Sequence, residues 1–383
     1  MNLTKSIPTA LVTCLCLLLS LSSCGPKQVE EINIGYIGPL SVRAVDLGVD
    51  PSNAMQLAID QYNANRADGE PKINLFIEDD QWNPKNAIPV YNKLREEHNV
   101  EIVFVSNTNS NIRLQEKILE DGVILVNPLN NGKQLNVLNK NTFQVAKDTE
   151  QANGLIAIRI IELGLKKVAL FQFPNVYMTR ASEEVERLLD NANIEIHVVP
   201  TEVGQTTFKK QLEQLKSEEH DAYVFFGYKE FGFAMKEARD MGITAPFFGS
   251  TVLLDPEFYN NSEGAIIGTE YPFFTPADGN RILVNEFLAD FEKQFNKKPV
   301  SVWPTMQAYD ATNLVLSRVR TINQSKDVDS SFDDWLRESL LKVNYYQGIC
   351  GNIAIKKEGG SKGIYFSLYK YDSKENPIVK VKR

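Results

Sequence analysis

Six small polar residues in a row, Ser106-Asn107-Thr108-Asn109-Ser110-Asn111, stand between the apolar run Ile102–Val105 and a stretch with Leu114, Ile118 and Leu119 at helical spacing. Hydroxyls and amides donate and accept hydrogen bonds, but none is by itself a strong base or nucleophile. Their chemistry is gripping rather than reacting. The apolar run suits a strand buried on both faces. Gly122 can stop the helix, and Val123–Val126 supplies a second buried strand. In the resulting βαβ unit the polar loop sits at the carboxyl end of a strand and opens a helix at Ile112. Free backbone N–H groups and the positive dipole end would meet an anionic or accepting group there. An ordinary capped turn would use the same residues.

Other chemically suggestive groups are weaker. Asp79-Asp80 has the look of paired catalytic acids, but acids at a strand end more commonly make turns and caps. His98, His197 and His220 show no metal-ligand spacing, so a metal site would need distant segments to converge. There is no Gly-x-Ser-x-Gly elbow, and Gly132-Lys133 lacks the upstream glycine and following Ser or Thr of a phosphate loop. No catalytic residue, metal ligand or cofactor motif emerges, and an enzyme is not expected.

The elements that must position the polar loop alternate along the chain. Glu31–Tyr36 and Ile73–Ile77 read as strands, with a helix between them opened by Asp50-Pro51-Ser52. Asn83 can cap a helix with Pro84 at its first position. After Phe143–Val145, helices at Thr149–Leu163, Thr179–Ala192, Thr206–Ser217 and Glu230–Met241 alternate with strands at Lys167–Phe171, Ile194–Val199 and Ala222–Phe226. That order predicts α/β architecture with parallel sheets covered on both faces. Later helices fall near Ile282–Phe295, Met306–Val319 and Phe332–Leu341, and Asn352–Lys382 reads as strands around a Glu358-Gly359-Gly360 turn.

The first 23 residues read as a leader. Lys5 supplies a positive start, and Leu11–Leu21 is an apolar run too short to span a membrane. Leu21-Ser22-Ser23-Cys24 resembles the bacterial lipobox, which implies a lipid on Cys24 and a polar tether at 24–30. The remainder, about 360 residues, is long enough for two domains. Hydrophobic residues at 43% and charged residues at 23% are ordinary for a globular chain, and a net charge of −8 without a basic cluster argues against nucleic acid. Cys14 and Cys16 leave with the leader and Cys24 takes the lipid, so Cys350 has no partner for a disulfide.

Several stretches together resemble the type I periplasmic binding proteins of the leucine/isoleucine/valine-binding branch. They are Ile34-Gly35-Tyr36-Ile37-Gly38-Pro39-Leu40-Ser41, Glu78-Asp79-Asp80 with Asn83-Pro84-Lys85 and Ala87, and Gly122 to Pro128. Gly227-Tyr228 with Ala238, Arg239 and Gly242, Phe247-Phe248-Gly249-Ser250, and Ala308-Tyr309-Asp310-Ala311 complete the set. The resemblance implies two doubly wound lobes joined by three hinge crossings near Val145–Asp148, Gly268–Pro272 and Gly351–Ile355. Lobe 1 would comprise 31–146 and 272–351, and lobe 2 would comprise 147–271 and 352–383. The implied ligand grip is Thr108, Asn109 and Ser110 with Asn130 and Asn131, which would hold a carboxylate, and Tyr177 and Tyr228, which would close over it. Asn130-Asn131-Gly132 is also a common turn sequence, and the tyrosines could equally be packing aromatics. The family's acidic anchor for an α-ammonium would fall at about Thr251, which cannot pair with a cation, and a first-lobe aromatic would fall near Leu47. Arg43 adds a cation, either a solvated charge or a ligand clamp.

What the resemblance implies is a monomeric, lipid-anchored protein of the cell envelope, facing the periplasm or exterior. It would capture a small polar ligand (amino acid-like, amide or small carboxylate) by lobe closure and deliver it to an ABC permease. A sensor or regulatory lipoprotein on the same fold is the other reading. An envelope hydrolase is weakest, lacking a visible nucleophile and base.

Overall fold

Runs of four or five apolar residues, buried along their whole length, become the central strands. We describe residues 28–132, 139–274, 280–325, 330–375 and 377–381 of a computed structural model. The leader and Cys24 lie outside the described residues. The first sheet contains β1 (Glu31–Gly38), β2 (Lys72–Asp79), β3 (Ile102–Val105), β4 (Ile124–Asn127) and β5 (Thr142–Gln144). They are parallel throughout, in the order β2-β1-β3-β4-β5. Alternate residues of β3 feed opposite sides: Ile102 and Phe104 join one apolar cluster, Val103 and Val105 the other. Helices must therefore cover both faces. They are α1 (Val49–Ala64), α2 (Ala87–His98) and α3 (Thr108–Glu120).

The second sheet is built from β6 (Lys167–Gln172), β7 (Glu195–Val199), β8 (Ala222–Phe226), β9 (Phe247–Gly249) and β10 (Glu270–Phe274). Its helices are α4 (Thr149–Glu162), α5 (Val176–Asn191), α6 (Lys209–Ser217), α7 (Phe231–Asp240) and α8 (Pro256–Ser262). Phe171, Phe208, Phe225, Phe231 and Phe247 interlock as stacked and edge-on rings in its core. The chain then supplies α9 (Asn280–Phe295), α10 (Val302–Val319) and α11 (Phe332–Leu341) to the first lobe, where Tyr309 of α10 reaches Gln61 of α1 at 2.6 Å. Strands β11 (Tyr346–Gln347), β12 (Asn352–Ile355) and β13 (Ser361–Lys362) form a small antiparallel sheet. Strands β14 (Phe366–Lys370) and β15 (Val379–Lys380) return to the second, giving the order β15-β14-β10-β9-β8-β6-β7. The molecule is thus two α/β lobes.

Three local outcomes depart from the sequence reading. Helix α3 begins at Thr108, not Ile112, because the Asn107 side chain accepts from the N–H groups of Asn109 and Ser110 and caps it early. Strand β10 replaces the crossing expected at Gly268–Pro272. It pairs antiparallel with β14 along Glu270–Phe274, so a boundary at 271/272 would cut a strand of the second sheet. Helix α8 was absent from the reading, although Asp255 caps it and Pro256 sits at its first turn.

The passage from β5 to α4 is braced by buried polar groups. Lys147 N–H donates to Gln307 Oε1 (2.8 Å), and its carbonyl accepts from Asn131 N–H (3.1 Å). Ser361 Oγ donates to the Ala146 carbonyl at 2.7 Å. A segment so held positions every side chain it carries.

Candidate functional site

Between the lobes lies an inner chamber of about 60 Å³. Ser106, Asn107, Thr108, Asn109 and Asn130 form its first-lobe wall, and Asn175, Tyr177 and Tyr228 its second-lobe wall. Leu47, Trp82, Tyr228, Val252 and Trp303 also line an outer cleft of about 570 Å³, so the two spaces share walls. None of the described residues lining the inner chamber carries a charge.

The polar wall is internally bonded. Asn130 Nδ2 donates to Thr108 Oγ1 (3.3 Å), while Asn130 Oδ1 accepts from the Thr149 hydroxyl (2.8 Å). The Tyr177 phenol lies against Thr149, and burial pushes its pKa up. Asn175 caps α5 through Met178 N–H and donates to the Tyr228 hydroxyl at 3.2 Å. This chain of groups runs from one lobe to the other and can both donate and accept. It contains no base poised beside a nucleophile.

The structure separates the residues predicted from sequence. Thr108, Asn109, Asn130, Tyr177 and Tyr228 come together around the chamber. Ser110 does not reach it: its hydroxyl donates to Asp80 Oδ2 at 2.6 Å and is fully buried. Asn131 instead donates to the Ser361 carbonyl at 2.7 Å. Arg43 is exposed and lines the outer cleft. The open helix end expected at the polar loop is partly filled by the protein itself, since Asn107 occupies two of its N–H groups. Asp79 and Asp80 make turns: Asp79 accepts from Leu40 and Gln81 N–H and Asp80 from Trp82 N–H. The three histidines do not all stay apart. His197 and His220 approach to 5.5 Å between ring centroids.

Thr251 is 1% exposed and does not line the chamber. Its hydroxyl accepts from Lys147 Nζ, and that ammonium also stands 4.0 Å over the Trp303 ring. Lys147 is 3% exposed, and burial pulls its pKa down to about 7. Burial is the sole cause of that shift, with no carboxylate among the described residues contributing to it. Of two second-lobe acids, Glu230 and Glu270, the latter is held in two contacts by Arg159 (2.8 and 3.1 Å). Glu230 lines the outer cleft, where its Oε2 is buried without a partner. Also in that cleft, burial and the nearby Asp255 raise Asp46 to about 6.

Sequence reasoning missed Lys147, Trp82 and Trp303. Tryptophan is scarce here, with three in the chain, and its amphipathic ring is a ready cleft wall. That signal was available; the burial of Lys147 was not.

A family model described as periplasmic binding protein matches residues 31–376. The Leu/Ile/Val-binding protein BraC3 of Rhizobium johnstonii is 23% identical over 357 residues, covering 91% of this chain and 94% of its own. Among solved structures, the branched-chain amino acid substrate-binding protein LivJ of Streptococcus pneumoniae, in complex with isoleucine, superposes with a TM-score of 0.78 at 21% identity, covering 92% of this chain and 100% of its own. An ABC-transporter solute-binding protein of Rhodopseudomonas palustris, in complex with 3,4-dihydroxybenzoic acid, gives 0.78 at 18% identity, covering 92% and 96%. The fold is that of the type I periplasmic binding proteins. With its family match spanning nearly the whole of both lobes, the chain belongs to the periplasmic binding proteins, non-catalytic proteins that bind substrates outside the cytoplasm.

Proposed function

We infer that this protein is a lipid-anchored substrate-binding protein, which captures a small ligand bearing a carboxylate or amide oxygen between its lobes and passes it to an ABC permease. One observation carries the ligand class: the buried ammonium behind the chamber's Trp303 wall belongs to the protein itself, at Lys147 on Thr251. A ligand ammonium brought into the inner chamber would meet a like charge, and no acid among the described residues lining that chamber would offset either. An anionic group would meet a counter-charge. The aromatic walls supplied by Trp82, Tyr177, Tyr228 and Trp303 suit an apolar or planar body. A solved relative of the same fold holds 3,4-dihydroxybenzoic acid, which has a carboxylate and no ammonium, so this fold accommodates that class. Thr108, Asn109, Asn130, Tyr177 and Tyr228 would orient the ligand. Lobe closure would create the form a permease selects.

Scanning fluorimetry with a panel of free amino acids, their deaminated or N-substituted analogues, amides and benzoates tests the reading. A melting shift with carboxylates lacking an ammonium, and none with leucine, isoleucine or valine, is the expected pattern. A leucine shift equal to or larger than those of the acids would overturn the ligand class and point to Glu230 as the ammonium's partner. No shift across the panel would favour the sensor reading, in which the same fold docks an envelope protein.

A further inference from the structure

Three side chains outside the ligand cleft converge on the second lobe. His197 lies on β7, Glu218 just after α6, and His220 just before β8. One ligand atom from each lies within 4.8 Å of the other two. His197 Nδ1 is 3.2 Å from Glu218 Oε2, and His220 Nε2 is 3.8 Å from the same oxygen. The other carboxylate oxygen accepts from Gln214 at 3.0 Å, which turns Oε2 toward the imidazoles. Lys167 reaches the Glu218 carbonyl, at 3.1 Å.

His220 supplies the decisive detail. Its Nδ1 lies 2.9 Å from the Leu215 carbonyl, which can only accept, so Nδ1 carries a proton. A neutral ring then presents a lone pair at Nε2. That nitrogen is buried, has no hydrogen-bond partner, and belongs to a residue 7% exposed. An orphaned acceptor facing a carboxylate oxygen, with a second imidazole beside both, is an arrangement that a cation completes. The Nδ1–H to carbonyl contact is the orienting bond that metal-binding histidines usually make.

We propose that His197, Glu218 and His220 form a binding site for a divalent transition-metal ion, with zinc as the reference ion. Two imidazoles and one carboxylate suit zinc and its neighbours rather than calcium or magnesium, which prefer all-oxygen shells. The side chains of His197 and Glu218 are 30% and 33% exposed, so that side of the cluster is open to solvent, from which a fourth ligand would come. None of the three lines the chamber or the outer cleft, so the ion is not part of the ligand grip. It would tie β7 to the turn between α6 and β8 and brace the second lobe.

The test uses untagged, detergent-solubilised full-length protein, stripped with chelator and titrated with Zn²⁺ against a chromophoric competitor. One equivalent should bind at micromolar affinity or tighter, with a rise in melting temperature. His220→Gln and Glu218→Gln should each weaken binding by more than about 100-fold, beyond what an outer-shell change does, while His98→Gln leaves it intact. Glu218 sits at the half-exposed rim, so its variant keeps the test valid if the buried His220 variant misfolds. Absence of zinc binding by the wild type would overturn the proposal, and so would stoichiometric binding undiminished in both variants.

Discussion

The ammonium of Lys147, just before α4, donates to the hydroxyl of Thr251, just after β9, in a contact where both residues are almost wholly buried. A lysine so placed has lost its hydration and gained one hydroxyl and one aromatic face, neither of which is an anion. The desolvation explains why its pKa falls from 10.5 to about 7.

That shift makes a stability prediction with a definite sign. Below about pH 7 Lys147 is charged in both folded and unfolded states, and the cost of burying the charge is fully present. Between about 7 and the ordinary 10.5, the unfolded chain binds more protons, so this group's contribution makes stability rise with pH. Replacing Lys147 with Met should stabilise the protein by on the order of a few kcal/mol at pH 6 and by little at pH 10. Denaturant melts of both proteins at the two pH values measure the difference. A constant difference would show that Lys147 is not desolvated in solution.

The same group ties ligand binding to protons. An anion near Lys147 favours its charged form, so binding above about pH 7 should be accompanied by proton uptake. Affinity for a carboxylate found in the fluorimetry panel should be flat below that pH and fall by about tenfold per unit above it. Titration calorimetry in buffers of different ionisation enthalpy counts the protons directly. Zero uptake at pH 8 would separate the ligand from Lys147.

Asn107 should matter for both fold and site, since it caps α3 and lines the chamber. Asn107→Ala removes the acceptor for two N–H groups and should cost about 1 kcal/mol, a Tm loss of about 2 °C. Asn107→Asp keeps the acceptor but loses the amide that hydrogen-bonds Asp80 and sets two carboxylates together, so it should recover only part of the Tm. It also puts a negative charge on the chamber wall, so it should not restore affinity for an anion.

The parallel sheets were legible in the sequence because their strands are continuous apolar runs, Ile102–Val105 and Ala222–Phe226 among them, buried end to end. Strand β10 was not, because Pro272 in Glu270–Phe274 argues against a central strand. It meets β9 only at Glu270 opposite Phe248, and a proline is tolerated where pairing on one side stops. At the site, the hydroxyl and amide positions were readable from the loop, but the partner each would choose was not. Ser110 and Asn131 bond across 30 and 230 residues, respectively. The convergence of His197 with His220 was hidden for the same reason: it needs β7 and β8 to flank β6.

The anchor is tested through Cys24. Cys24→Ser should abolish lipidation and either block processing or release soluble protein, since stable anchoring takes more than one acyl chain. Fractionation of cells and mass spectrometry of the N-terminus read the outcome. Variant protein found wholly in detergent-extractable membrane would exclude a lipid on Cys24 as the anchor.

Substitution of Thr251 separates two sources of specificity. If the hydroxyl merely fails to hold a ligand ammonium, then Thr251→Glu alone should confer binding of free amino acids. The contact with Lys147 makes that outcome unlike what we expect. A carboxylate at position 251 would be taken first by the neighbouring ammonium, forming a buried ion pair that keeps Lys147 charged and leaves no anion for the ligand. Thr251→Glu alone should therefore lose affinity for carboxylates without gaining leucine. Truncating the lysine as well, in Lys147→Ala with Thr251→Glu, leaves an unpaired carboxyl group that an incoming ammonium can hold in its charged form. The double variant should bind leucine or another free amino acid, and the single Lys147→Ala variant should bind neither class well. Isothermal titration of the four proteins with leucine and with its deaminated analogue forms a double-mutant cycle. Additive effects would mean that Lys147 and Thr251 act independently, and specificity would then rest on the aromatic walls.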